Sequence, residues 1–598
     1  MHTFLTFIKE FKFPKKGELE NALLSLESKK FYLFIALLLV AGISVIVLLN
    51  AINQSFMVTV PQNGGSITEG IIGMPTLVNP VLALSDTDKD LTTLVYSGLM
   101  RKMPDGTFVP DIAESYTTTN NGMTYTFTLK KGLTFHDGSP ITSDDVLFTI
   151  GKIKDPLVKS PRKIGWDGVT VEKASDMVIV FTLKQPYISF LDNTTLGILP
   201  MHVWKNVNSN EFSLSPFNIK AIGSGPYQIN TVQKNADGVP IEYSLRRFKS
   251  FALGAPHIEY ITLISFSNEK ELIKNLLNKT IDQAGGLSSE NTESLTEAGY
   301  VVHTSTLPRL FGIFFNSTNN KIFANTNILK AFDKALDRKV IIDTVLHGYG
   351  TAIYHPIPET IITKTDSTTP SLSLDEAQDI LEKEGWVMGE DGIRSRGGTK
   401  VSSITKKIGK KTILQKSVTT TPITRLGFTL TTGNSPELIK ASELVKEQLK
   451  KIGVEVDVRK YEPGPLNQII RARSYEGLFF GQFINHESDL YSFWHSSQKN
   501  DPGLNIGLYS SKNADSILES IQKNPDFQSR VESYKNLLKE FNTTVPALMI
   551  YSPKYIYVTS SKIHNITFDS ITTSSDRLGS VYTWYANEDQ VWKIFNNK

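Results

Sequence analysis

Residues able to do chemistry are present in this chain, but their spacing defeats each reaction they suggest. His486-Glu487 opens the H-E-x-x-H pattern that sets two zinc-binding imidazoles on one helical face, yet the fifth position is Leu490. Gly409-Lys410 resembles the end of a phosphate-cradling loop. There Lys411 stands where a hydroxyl must reach magnesium, and Ile404 where the first glycine is needed. Gly223-Ser224-Gly225 has the glycines of a nucleophile elbow, but Pro226 blocks the helix such a turn requires. The 10 histidines are dispersed, and a lone histidine is ordinarily a hydrogen-bonding group. Asp144-Asp145 falls where a helix begins, and the helix dipole accounts for it. The chain has Cys 0, which removes thiol nucleophiles, disulfides, Cys-ligated zinc, iron–sulfur clusters and a lipid-bearing cysteine. No catalytic group, metal site or cofactor is expected, and the chain is not expected to be an enzyme.

What stands out instead is aromatic density between Leu478 and Ser497, LFFGQFINHESDLYSFWHSS. Leu478-Phe479-Phe480 reads as a buried strand, Gly481 to Asp489 brings amides, a histidine and carboxylates, and Tyr491, Phe493 and Trp494 follow. Aromatic faces with a few polar groups line small-molecule clefts, and they equally build an ordinary core at a strand–helix junction.

The elements that must position these residues alternate along the chain. Tyr125, Phe127 and Leu129 alternate with polar residues, as in a half-buried strand, and Met177 to Leu183 reads as another. Between them Thr142 is a helix N-cap with Asp145 three residues on, and Val146, Leu147, Ile150 and Ile153 share one face. Leu426, Phe428 and Leu430 alternate, Ser435-Pro436 opens a helix bearing Leu438, Val445, Leu449 and Ile452, and Gly453 ends it. Val454, Val456 and Val458 then alternate again. That β-α-β order predicts a parallel pair in an α/β domain. No fixed-period repeat is visible, which argues against a solenoid or propeller.

At 598 residues the chain is long enough for several domains, and 63 basic against 60 acidic residues give no global case for nucleic acid. Phe31 to Ile52 is an uncharged apolar run of 22 residues, enough at about 1.5 Å per residue to cross a hydrocarbon core of about 30 Å. Lysines at 9, 12, 15, 16, 29 and 30 precede it, and no Lys or Arg follows until Lys89. The asymmetry predicts a cytoplasmic N-terminus, one membrane helix that is not cleaved, and an extracytoplasmic body. Arg394 to Arg425 carries nine basic residues, with no acid between Asp391 and Glu437. It reads as a protruding hairpin or loop: a solvated insertion, or a contact for anionic lipid or an anionic envelope polymer.

Several longer stretches resemble the family 5 extracellular solute-binding proteins of ABC importers, the dipeptide, oligopeptide and nickel-binding group. They are LVYSGLMRKMPDGTFVPDIAESY (Leu94 to Tyr116) and GMTYTFTLKKGLTFHDGSPITSDDVLFTI (Gly122 to Ile150). To these add Gly223 to Tyr227, Phe315-Asn316, Ala335 to Arg338, and Gly64-Gly65 followed by Asn79-Pro80.

The resemblance implies a periplasmic-binding-protein-like (class II) α/β fold of three lobes with a hinged ligand cleft. After a cytoplasmic segment (1–30) and the transmembrane helix (31–52), a discontinuous first lobe takes 58–86, 197–307 and 546–598. An inserted lobe takes 87–196, and a second lobe 308–545, with the basic insertion at about 394–425. Crossings near Leu307 to Asn316 and Asn542 to Tyr551 are the implied hinge. By the same resemblance Ile72, Gly73 and Met74, and Gly481, Gln482, Phe483, Ile484 and Asn485, supply backbone or side-chain contacts to the ligand. Phe311, Phe314, Tyr491 and Trp494 are its walls. Peptide-binding members carry an aspartate for the peptide ammonium after the late glycine-aromatic strand; here Ile484 or Asn485 stands there, and neither is charged. The implied function is a membrane-anchored receptor that delivers a peptide or peptide-like solute to the permease and ATPase subunits of an importer. A metal-chelate or oligosaccharide ligand, or a sensor or scaffold role on the same fold, are the alternatives.

Overall fold

The computed structural model describes residues 15–186, 190–358, 372–408, 411–484, 489–524, 527–567 and 571–595. Contacts divide the chain into two units, one holding the described residues up to Gln62 with those from Asn587 on, the other Asn63–Ala586.

In the first unit the apolar run becomes helix α1 (Ser28–Phe56), with none of its residues buried by protein. It exceeds the expected 31–52 because Asn50, Asn53, Gln54 and Ser55 are polar without breaking a helix. Strand Met57–Gln62 follows directly and pairs antiparallel with Asn587–Trp592. By resemblance both segments were assigned to the first lobe; here they form a ribbon of their own beside α1.

The second unit is built on a sheet of 12 strands. Its organising members are β1 (Ser66–Ile72), β2 (Tyr300–Thr306), β3 (Arg309–Phe315), β4 (Gly477–Phe483) and β5 (Ala547–Ser560). The long strand β5 serves two halves. Ala547 to Tyr551 pair with β3, whereas Lys554 to Ser560 pair with β2. The change of partner falls where Leu307-Pro308 joins β2 to β3, and Ser552 Oγ donates to the Leu307 carbonyl at 2.9 Å. Two chain crossings therefore lie side by side, at 307–308 and 552–553.

Helix α2 (Asp86–Val95) packs in the first half, and α3 (Pro436–Lys450) in the second. The expected β-α-β unit forms: Gly427–Gly433, α3 and Glu455–Tyr461, with the strands parallel and Ser435 capping α3 by accepting from Leu438 N. Thr142 and Asp145 form the expected capping box on Ser143–Lys154. The basic segment is a hairpin, Arg394–Ile408 against Lys411–Arg425. Its two end arginines are not free charge. Arg394 is buried, donating to the Ile452 and Trp386 carbonyls and pairing with Glu382, and Arg425 pairs with Asp391 and Glu455.

The two most distinctive motifs hold each other. His136 Nε2 lies 3.1 Å from the Gly225 carbonyl, and Gly223 N donates to His136 Nδ1 at 3.3 Å. A Cβ at Gly223 would fall 2.1 Å from the Val95 carbonyl oxygen, so the glycine is what lets this loop lie against the end of α2. Burial pushes the imidazole down to about 4. The unfolded chain takes this proton near 6.5 and the folded one only near 4. Stability that is full above pH 6.5 is therefore lost as pH falls through that window. The thermal midpoint should drop between pH 7 and pH 4.5, and more steeply in the wild type than in His136→Asn; equal slopes would assign the acid sensitivity elsewhere.

Candidate functional site

The carboxyl ends of parallel strands, where open α/β sheets bind ligands, converge from both halves. In the first half β1 runs parallel to Tyr260–Phe266, Ile72 opposite Phe266. The chain turns there through Gly73 at φ +100°, and Ile72 and Met74 remain 41% and 44% exposed. The helices packed in that half begin with Asp86 and Glu269. In the second half Gly427–Gly433 leads into Ser435 and Glu437 of α3, and β4 ends at Phe483.

Arg309, the first residue of β3, is the group these ends share. It pairs across the ladder with Phe483, and its guanidinium carbon stands 4.2 Å from that ring's centroid. Its Nε is buried with no hydrogen-bond partner among the described residues. Burial lowers its pKa, while Asp86 from one half and Glu437 from the other pull it back up. Glu437 stays accessible to solvent although neighbouring atoms desolvate it, the combination a groove produces. Burial raises its carboxyl, Arg309 opposes the rise and Glu269 adds to it. Glu269 is itself held by Ser288, whose N donates at 2.7 Å. Asp86 is tied only loosely to Lys89, at 3.7 Å. Among the described residues Arg309 Nε has no hydrogen-bond acceptor, and neither Asp86 nor Glu437 forms an ion pair with it.

The aromatic wall beside Arg309 follows from strand alternation. Arg309, Phe311, Gly481 and Phe483 share one face of the β3–β4 pair. Phe311 stacks on Tyr551 with centroids 5.2 Å apart, and a Cβ at Gly481 would meet the Phe311 ring at 2.7 Å, so the glycine makes room for it. The Tyr551 hydroxyl is buried without a partner among the described residues and feels Glu437. Gln482 and Ile484 point to the opposite face and are 3% and 2% exposed. The Gln482 amide has no partner at either atom among the described residues, and Ile484 N donates to the Pro308 carbonyl at 2.9 Å.

The expected residues therefore divide. Phe311, Gly481 and Phe483 gather at Arg309, and Ile72, Gly73 and Met74 sit at the end of β1. Phe314 and Trp494 are both 0% exposed and stack 6.1 Å apart inside the second half. Both are buried in the core of that half, because β3 turns Phe314 to the face opposite Arg309. Tyr491 is half-buried and stacks on His495 at 4.2 Å. Asn485 and His486 lie outside the described residues. Sequence reasoning passed over Asp86, Arg309, Glu437 and Tyr551, whose one early signal is that Arg309 opens an otherwise apolar strand.

Backbone is on offer as well. β4 pairs with its parallel neighbour only at Gly477 and Leu478, so that edge of Phe480–Phe483 has no strand partner among the described residues. A separate cavity of about 450 Å³, lined by Arg162, Lys102 and Asp576 among others, carries none of the expected residues.

Comparison with known proteins gives concordant findings. Residues 107–503 match the family described as bacterial extracellular solute-binding proteins, family 5 Middle. The oligopeptide-binding protein AppA of Bacillus subtilis is 27% identical over 513 residues, covering 82% of this chain and 87% of that one. The structure of the ABC transporter substrate-binding protein CtaP of Listeria monocytogenes superposes with a TM-score of 0.72 at 23% identity. It covers 88% of this chain and 100% of its own. The structure of Bacillus subtilis AppA in complex with a nonapeptide superposes at 0.63, with 24% identity and the same coverage.

Proposed function

We propose that this chain, which belongs to the family 5 bacterial extracellular solute-binding proteins, captures a peptide or peptide-like solute between its two α/β halves and delivers it to an ABC importer. The observation that carries the reading is Arg309, whose buried Nε has no partner among the described residues, with Asp86 and Glu437 acting on it from opposite halves. A peptide end has the matching charges: its ammonium goes to Glu437 and Asp86, and Arg309 takes a carboxylate or carbonyl oxygen. Glu437 and Asp86 thereby supply the carboxylates that Ile484 and Asn485 do not. The open edge of Phe480–Phe483 and the turn at Ile72 to Met74 bind main chain, as in an added β-strand, which leaves side-chain identity loosely read.

Ligand that touches both halves stabilises their closure about the crossings at 307–308 and 552–553, a shift between open and closed populations. Helix α1 spans the membrane, its lysine-flanked end cytoplasmic, and tethers the body outside. A mixed pool of short peptides is expected to raise the melting temperature of the purified full chain, as ligand at about 100 times Kd adds about 2.7 kcal/mol. Acetylating the peptide amines should remove most of that rise. No rise with the pool, or a rise only with a nickel–histidine chelate or an oligosaccharide, would contradict the peptide reading.

A further inference from the structure

The chain has 6 tryptophans. Trp166, Trp204, Trp386, Trp494 and Trp584 are at most 3% exposed, whereas Trp592 is 45% exposed. Its position is fixed by α1. Met57, the residue after α1, is the ladder partner of Trp592, and the indole Nε1–H donates to Asn53 Oδ1 at 2.9 Å. The C-terminal segment is thus bonded to the exit end of the apolar helix.

That end lacks an interfacial aromatic side chain of its own kind. Lys29, Lys30 and Tyr32 mark the first end, but no Trp or Tyr occurs between Tyr32 and Tyr96. Tryptophan and tyrosine belong at both membrane–water boundaries, where an apolar ring and a polar N–H or O–H each find their medium. From Tyr32 to Asn53 the helix rises about 32 Å at about 1.5 Å per residue, one hydrocarbon thickness of about 30 Å. Trp592 therefore lies at the depth where the second belt is needed, delivered in space rather than in sequence. Ile594 and Phe595 follow at 66% and 77% exposure with Lys593 beside them, an apolar tip with a cation, as interfacial segments have.

We propose that Trp592, Ile594 and Phe595 seat in the headgroup–acyl boundary of a phospholipid bilayer and clamp the C-terminal segment to the membrane beside α1. The inference rests on α1 spanning the bilayer, so the test reads the two separately. The full chain is reconstituted into phosphatidylcholine vesicles whose acyl chains carry bromine just below the headgroup. Tryptophan emission is measured, and alkaline carbonate extraction reports helix insertion. The expected result is quenching confined to one tryptophan component, absent in Trp592→Phe and at least halved in the Ile594→Ser/Phe595→Ser variant, with every protein resisting extraction. Unquenched emission from a chain that resists carbonate overturns the clamp alone, as does quenching that survives Trp592→Phe. A chain stripped by carbonate overturns the spanning helix and the clamp with it.

Discussion

Arg577→Leu is expected to cost the body about 3–5 kcal/mol, the loss that follows when one partner is taken from a buried ion network. Arg577 is 2% exposed and joins three distant parts of the chain. Its Nη1 and Nη2 donate to Asp90 of α2 at 2.8 and 2.7 Å, and its Nε to Glu69 of β1 at 3.1 Å. Gln283 donates to the other Glu69 oxygen at 2.8 Å. Burial nevertheless pushes Asp90 up to about 6 against the pull of the arginine.

Removing Arg577 leaves Glu69 and Asp90 facing each other without a cation, which raises the Asp90 carboxyl further. A raised carboxyl costs stability fully above its folded pKa and less as pH falls through it, so the deficit should shrink from pH 7 towards pH 5. Combining Arg577→Leu with Glu69→Gln and Asp90→Asn should recover much of the loss, because neutral groups carry no ionic desolvation penalty. Denaturant unfolding of the three proteins checks this. A single-variant deficit below about 1 kcal/mol, the scale of a solvent-exposed pair, would show that the network is no more than a surface contact.

Glu437→Gln and Arg309→Gln are each expected to weaken peptide binding by about 10- to 100-fold. That is the scale of a hydrogen bond to a charged group, about 1.5–3 kcal/mol. Glu437→Gln should change the stability of the empty protein little, because that carboxylate is solvent-accessible and has no ion pair among the described residues, whereas Arg309→Gln also gives up the guanidinium stacking on Phe483. Glu437→Gln should leave the binding of N-acetylated peptide nearly untouched, since the group it answers to is gone. Because burial raises the Glu437 carboxyl, the wild type should lose affinity at mildly acidic pH as that carboxylate protonates, and the variant should not. Calorimetric titration with one peptide in free and acetylated form separates these cases. Equal losses for both forms would remove Glu437 from the ammonium site.

Local features of this fold were legible in the sequence because local rules set them. The alternation at 125–129, 426–430 and 454–458, the capping of Ser143–Lys154 by Thr142 and Asp145, and the β-α-β order around α3 all reappear in the structure. The long apolar run was legible for the same reason, its ends less so, since nothing in Asn50 to Ser55 forbids further helix. The proposed binding groove was legible only in part. Gly481, Phe483 and Phe311 fall together because a strand pair brings them there, but periodicity cannot tell an aromatic wall from an aromatic core, so Phe314 and Trp494 turned out buried. Asp86, Arg309, Glu437 and Tyr551 lie in four separate parts of the chain, and only the double use of β5 draws them to one place. Each is unremarked in its own neighbourhood, and its role is a property of the fold.

The account's central claim is that this cleft holds a peptide by its charged ends. It is tested most directly by denaturing the purified full chain and identifying by mass spectrometry what is released. Short peptides of mixed sequence with free amino termini are expected, present in the wild type and strongly depleted in Glu437→Gln. Release of an oligosaccharide or a metal chelate in their place, or of peptides at equal yield from both proteins, would contradict it.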